Sequence, residues 1–233
     1  MAEFSGKVAI ITGASGLLAS GVIPAFRAGD ARLALTCGDD RLYQRFPDLR
    51  EDRDHICLQN ADLSDEAAAA GLVERTLEAF GRIDVLVNIV GGWDAGQLLH
   101  EMTTETWNTM LRLNATVAFM MSRAVIPAML EVGSGAIVNI GAKPGLRSNG
   151  NDAAYSASKS AVLRLTESMS EEYKRRGIRV NAVLPSTIAT EEQYAEDPQA
   201  GVTPAQLGRV IAFLASDAGA AIHGALIPVF GTR

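Results

Sequence analysis

Tyr155 and Lys159 stand four residues apart, in Tyr155-Ser156-Ala157-Ser158-Lys159. That spacing brings two side chains onto one face of a helix. An ammonium beside a phenol favours the phenolate and lowers the phenol's pKa. A phenol tuned toward neutrality can pass a proton to or from an oxygen or nitrogen of a bound molecule. With only four tyrosines in the chain, and as few lysines, chance seldom produces the pair. The spacing predicts an acid–base couple in which Lys159 tunes Tyr155.

A second group of residues could hold a phosphate. Ile11-Thr12-Gly13-Ala14-Ser15-Gly16-Leu17-Leu18-Ala19 links an apolar run to a helical stretch. Gly13 and Gly16 let backbone N–H groups approach a pyrophosphate, and the helix N-terminus adds positive potential. Ala19 is small enough for helix and strand to pack closely. Any tight strand-to-helix turn favours glycine, so the weight of this one comes from its place after the first strand. An acid closing the second strand would hold the ribose hydroxyls of NAD. That place falls near Cys37-Gly38, with Asp39 and Asp40 just beyond, and no arginine is expected there to take a 2′-phosphate. NAD and NADP both stay open. Asp62 follows the third strand, where it reads either as a partner for an adenine amino group or as a solvated loop carboxylate.

The elements that must position these groups alternate along the chain. Short apolar runs at 8–11, 33–36, 55–58, 83–87, 136–140, 178–184 and 225–229 read as strands. Helical stretches lie between them at about 17–28, from an N-cap at Ser64 to a stop at Gly81, and at 104–130, 152–176 and 204–216. The polar stretch 191–204 has no periodicity and reads as a loop. Strands that are apolar on both faces and alternate with helices mean an α/β fold, a parallel sheet covered on each side.

The chain's 233 residues fit one domain, 1–233. A formal net charge of −6 argues against a nucleic-acid partner or a basic membrane surface. Cys37 and Cys57 are too few for a disulfide framework or a thiolate zinc site, and read as small buried hydrophobes in a reducing compartment. His55, His100 and His223 are scattered without metal spacing, so no metal is expected. The N-terminus lacks the pattern of a signal peptide, and no long apolar run suggests a membrane span. The expectation is a cytoplasmic protein.

Taken together, these motifs resemble the short-chain dehydrogenases/reductases over essentially the whole chain. The resemblance rests on the Thr12-Gly13 turn, Asp62-Leu63, Asn88 in Val87-Asn88-Ile89-Val90-Gly91, Asn114, Tyr155 with Lys159, and Pro185 to Thr190. It implies a Rossmann-type doubly wound sheet of about seven strands. It also implies an NAD(P)-dependent oxidoreductase that transfers hydride to a C=O or C=N substrate. Tyr155 would be the proton donor, and Lys159 would hold the nicotinamide ribose. Asn114 would bend its helix and anchor a water to Lys159. Cofactor contacts would come from Gly13, Ser15, Gly16, Leu17, Leu18, Asp62, Leu63, Asn88, Val90, Gly91, Pro185, Ile188 and Thr190, besides Tyr155 and Lys159.

The departures from the family pattern are informative. A serine usually stands thirteen residues before the tyrosine and donates to the substrate oxygen; here it is Ala142. Leu17 replaces a usual glycine. These changes, with Val90-Gly91-Gly92-Trp93, give features similar to the quinonoid dihydropteridine reductase branch, which keeps Tyr and Lys without the Ser. Either the substrate needs less polarisation, as a quinonoid C=N would, or Ser148, Lys143 or Ser186 substitutes. Trp93 could stack on a planar substrate or merely cover the core. The same departures also admit a non-catalytic NAD(P)-binding scaffold. Surplus apolar surface on the two long helices implies, by the resemblance, a homodimer or homotetramer.

Overall fold

The computed structural model describes residues 3–231. In chain order the elements are β1 (Val8–Ile11), α1 (Ala19–Ala28), β2 (Arg32–Cys37), α2 (Arg41–Arg45), β3 (His55–Gln59), α3 (Glu66–Phe80), β4 (Val85–Asn88) and α4 (Thr104–Met110). There follow α5 (Val117–Val132), β5 (Gly135–Ile140), α6 (Lys143–Leu146), α7 (Ala153–Tyr173), β6 (Ile178–Pro185), α8 (Glu191–Glu196), α9 (Pro204–Ala215) and β7 (Leu226–Val229).

The seven strands form one sheet in the order β3-β2-β1-β4-β5-β6-β7, and every neighbouring pair is parallel. Strand order reverses between β1 and β4, so their carboxyl ends open onto a crevice. All residues of β1 and β4 are buried, as the unbroken apolar runs require of strands covered on both faces. On one face Ile11, Leu35 and Val87 pack with Val22, Phe26, Leu207 and Ile211 of α1 and α9. On the other, Ile10, Leu86 and Ile137 pack with Leu72, Val117, Met121 and Val125 of α3 and α5.

The helices α1 and α9 cross with their backbones nearly touching. A Cβ on Gly21 would lie 1.9 Å from the Pro204 carbonyl oxygen, and one on Gly208 2.3 Å from that of Gly21. A π-helical turn, Leu111–Thr116, joins α4 to α5 without a break. The resulting helix, Thr104–Val132, is long and apolar enough to cross a membrane by length and composition alone. Its apolar side is spent on the sheet, where Val117, Met121, Val125 and Met129 are buried.

Other expectations also change. Asp65, not Ser64, caps α3, accepting the Ala68 N–H at 2.9 Å; Ser64 instead donates its hydroxyl to Asp62 at 2.6 Å. The stretch expected to be a loop opens with α8, nucleated by a capping box in which Thr190 and Gln193 exchange hydrogen bonds. The short helices α2 and α6 have too few turns to produce a periodic signal.

Candidate active site

The turn after β1 is held by two buried threonines. The Thr12 Oγ1 accepts the N–H groups of Ile89 at 2.9 Å and Val90 at 3.1 Å, which ties the turn to the end of β4. Thr36 of β2 accepts the Gly13 N–H on its hydroxyl at 3.0 Å and the Ala14 N–H on its carbonyl at 2.7 Å. Gly13 sits at φ +68°, and a Cβ there would crowd Val90 at 3.2 Å. The Gly16 N–H turns back to the Gly13 carbonyl. Among the described residues, the N–H groups of Leu17 and Leu18 find no protein acceptor, as the first turn of a helix leaves them. They are donors suited to an anion.

Tyr155 and Lys159 lie on the first two turns of α7, opposite the glycine turn. Lys159 is buried, and its Nζ donates to the Ile140 carbonyl at the end of β5 at 2.8 Å. That bond uses one of three donors. Burial pulls its pKa down to about 8. Tyr155 moves the other way from the sequence expectation: burial, with the nearby Asp152 carboxylate, pushes it up to about 12. Removing the phenol from water outweighs any help from Lys159, whose ammonium is directed at a carbonyl. Tyr155 is therefore a neutral donor at physiological pH.

Asn114 sits inside the π-helical turn, which places it toward α7 and the β4 loop. Its Oδ1 accepts the Gly92 N–H at 3.1 Å, and its Nδ2 donates to the Gly92 carbonyl at 3.1 Å and to Ser158 Oγ at 3.0 Å. Asn114 thus clamps Gly91-Gly92 against the helix that carries the acid–base pair. A Cβ on Gly91 would meet Asn114 Oδ1 at 2.7 Å and Lys159 Nζ at 3.3 Å. Both polar atoms stand where a side chain would project, so only glycine leaves that space open.

Tyr155 and Lys159 line a cavity of about 570 Å³ together with Gly16, Leu17, Leu18, Gly91, Trp93, Ala142, Pro185, Ser186 and Ile188. Leu17 forms part of its wall. Trp93 stands at 72% exposure on its rim. Gly13, Asp62, Leu63 and Val90 line an adjoining crevice of about 190 Å³ toward β2. Ser15 is buried behind the turn, its hydroxyl donating to the Asp39 carbonyl at 3.2 Å.

Several sequence candidates lie elsewhere. Asn88 is buried in the sheet, donating to Asn139 Oδ1 at 2.8 Å and Ser122 Oγ at 3.3 Å, and lines neither cavity. The Thr190 hydroxyl is taken by the cap of α8. Lys143 points its ammonium over the Phe230 ring at 5.3 Å. Ser148 donates to Asp152. Of the three substitutes for the missing serine, only Ser186 reaches the cavity, and its hydroxyl donates to the Phe230 carbonyl at 3.1 Å. Ala142 is buried in the cavity wall and offers no side-chain donor.

The sequence reading also missed two arginines. Arg45 of α2 donates to the Gly16 carbonyl at 2.9 Å, beside the glycine turn. Arg41 pairs with Asp39 at 2.8 Å and holds that carboxyl down to about 2. Their signal was the run Asp39-Asp40-Arg41, which places a helix start directly beyond β2. The residues present fit a dinucleotide. Unpaired N–H groups face the glycine turn, Gly91 keeps the floor open, and a buried ammonium has two unspent donors at the far end.

Comparison with known proteins agrees with this geometry. The profile of the short chain dehydrogenase family matches residues 7–200. The chain is 32% identical to the 3-oxoacyl-[acyl-carrier-protein] reductase FabG of Escherichia coli (strain K12), over 98% of each chain. It is 34% identical to the 2-(R)-hydroxypropyl-CoM dehydrogenase of Xanthobacter autotrophicus, over 97% of each. Among solved structures, NAD+-bound xylitol dehydrogenase superposes with a TM-score of 0.88 at 25% identity, covering 98% of this chain and 99% of that one. The structure of gox2181 does so with a TM-score of 0.87 at 30% identity, covering 97% and 94%.

Proposed function

This chain belongs to the short-chain dehydrogenase/reductase family and is an NAD(P)-dependent oxidoreductase; from that premise we propose that it reduces a C=O or C=N bond, with Tyr155 delivering the proton. The observation that carries this reading is the pair Tyr155 and Lys159 in one wall of the cavity that begins at the glycine turn.

The nicotinamide, when bound, supplies the hydride. The Leu17 and Leu18 N–H groups bind the pyrophosphate, and the unspent donors of Lys159 hold the neighbouring ribose. Asp62 and Leu63 receive the adenine end. Pro185 and Ile188 exclude water from one side of the cavity. Tyr155, held neutral by its surroundings, hydrogen-bonds the substrate oxygen or nitrogen and releases its proton as charge develops there. The Lys159 ammonium, in a dry wall, stabilises the phenolate left behind. Asn114 keeps the Gly91-Gly92 backbone and α7 at a fixed separation. A non-catalytic scaffold has no need of Tyr155, Lys159 and Asn114 in this arrangement.

Substrate chemistry divides on Ala142. FabG is a 3-oxoacyl reductase by name, which favours a ketone. A wall without the usual serine donor favours a more electrophilic C=N, such as a quinonoid dihydropterin, stacked on Trp93. Oxidation of NADH and of NADPH, followed with a panel of ketones and a quinonoid dihydropterin, tests both. Turnover of a ketone or of the pterin is expected, and Tyr155→Phe is expected to lower it by about 10²–10⁴-fold with dinucleotide affinity unchanged. A Tyr155→Phe enzyme as fast as the wild type would remove Tyr155 from the reaction.

We propose also that the chain acts in the cytoplasm as a homodimer or homotetramer. Support comes from the groove of about 370 Å³ between α5 and α7, which Phe119, Pro127, Leu130, Leu165 and Tyr173 line. A second copy of the same face would cover it.

A further inference from the structure

Beside the adenosine end of the crevice, the chain's two cysteines meet. The register of β2 and β3 pairs Leu35 with Cys57 and Cys37 with Gln59. Cys37 and Cys57 therefore face the same side of the sheet on neighbouring strands. Their Sγ atoms are 2.6 Å apart, about half an ångström longer than the ~2.05 Å of an S–S bond. Both thiols are free. Cys37 is buried, whereas Cys57 is half-buried on β3, the outermost strand of the sheet. Cys57 is thus the sulfur a small oxidant meets first. Burial, together with Cys57 and the carboxylates of Asp39 and Asp40, pushes the Cys37 thiol up to about 12, so Cys37 stays a thiol at physiological pH. Its contact with Cys57, not its acidity, brings it to the second step.

We propose that Cys37 and Cys57 are a redox modification site, closed by a peroxide into a reversible intramolecular disulfide that weakens dinucleotide binding. Cys57 sulfur attacks the peroxide; an S–O bond forms, the O–O bond breaks and water leaves with the thiol proton. Cys37 sulfur then attacks the resulting sulfenic acid. The S–S bond forms, the S–O bond breaks, and the hydroxyl leaves as water with the Cys37 proton. Two thiols lose two electrons, and one hydrogen peroxide becomes two waters.

The coupling to binding follows from where β2 ends. Cys37 lines the smaller crevice with Gly13, Thr36, Gly38 and Asp62. The residue before it, Thr36, accepts the Gly13 and Ala14 N–H groups. Two residues after it, the Asp39 carbonyl accepts the Ser15 hydroxyl. Drawing Cys37 toward β3 moves the strand end on which the glycine turn is built. Linkage makes the effect reciprocal: at equilibrium a bound dinucleotide disfavours closure by as much as closure weakens the dinucleotide.

The second half of the proposal rests on the dinucleotide reading above; the thiol chemistry does not. The test treats the purified protein with hydrogen peroxide, with and without NADH or NADPH. Intact mass, alkylatable thiols and dinucleotide affinity by calorimetry are then measured. The expected result is a loss of about 2 Da within a single chain, with both thiols blocked. Dinucleotide Kd should rise by roughly fivefold or more, dithiothreitol should restore it, and dinucleotide should protect. Cys57→Ser and Cys57→Ala should bind dinucleotide normally and lose the response. Sulfinic acid alone, or cross-links between chains, would overturn the disulfide. Oxidised protein that binds as tightly as reduced protein would overturn the coupling alone. Reduced protein that binds neither dinucleotide would overturn the dinucleotide reading and the coupling with it, whatever the thiols do.

Discussion

Tyr155 is a protonated phenol at pH 7, because burial and Asp152 push its pKa up to about 12. That protonated state is the one the proposed reduction consumes. The opposite direction requires a base, which must wait for the positive charge of Lys159 to act on the phenol. Lys159 carries its own cost. Its pKa of about 8 in the fold, against the ordinary value near ~10.4, means that the unfolded chain binds more protons between those values. Stability therefore rises with pH from about 8 to 10.4, and below pH 8 the full penalty of a buried charge applies, about 3 kcal/mol. Lys159→Met is expected to abolish most turnover while making the fold more stable at pH 7, by roughly 1–3 kcal/mol. Urea unfolding at pH 7 and at pH 10 should show that advantage shrinking at the higher pH.

Among the elements, the junction of β1, β2 and β4 positions the chemistry. Thr12 alone satisfies the two N–H groups that open the β4 loop. Thr36 fixes the glycine turn from the other side. A Thr12→Val substitution keeps the volume but leaves two N–H groups without their acceptor, a cost of about 1–3 kcal/mol for each. The expected outcome is a lower urea midpoint and a weaker dinucleotide affinity together. Farther from the site, α1 is seated on α9 through Gly21 and Gly208. Gly21→Ala would place a methyl against the Pro204 backbone, which cannot give as a flexible side chain would. A loss of about 1–3 kcal/mol or more is expected from overpacking, and thermal unfolding measures it. Because α1 begins at the glycine turn, the same variant should also raise the KM for dinucleotide.

At the scale of the whole molecule, the long helix from Thr104 to Val132 reads as a membrane span by length and composition, yet one side of it is the lining of a sheet. Its outer side with α7 carries the exposed Phe119, at 44% exposure, beside a groove wide enough to receive side chains from another chain. Light scattering is expected to give a dimer or tetramer, and Phe119→Asp to shift it toward monomer. A wild-type monomer at micromolar concentration would end that reading while leaving the active site untouched.

Much was legible in the residues alone because parallel sheets demand it. Strands covered on both faces must be uniformly apolar, and runs such as Val8-Ala9-Ile10-Ile11 state that without any partner. The glycine turn and the Tyr155–Lys159 spacing are local, so one segment contains their whole geometry. What needed tertiary structure was everything set by contacts between distant segments. Asn88 looked like a cofactor ligand until Asn139, on the next strand, took its amide. Lys143 and Ser148 were near the site in sequence but turned to Phe230 and Asp152. The direction of the Tyr155 shift depended on how dry its surroundings are. The approach of Cys37 to Cys57 depended on the register of two strands. Periodicity reports which face of an element is apolar; only the packed chain decides which polar atoms meet, because hydrogen bonds and desolvation act over a few ångströms between residues that the sequence holds far apart.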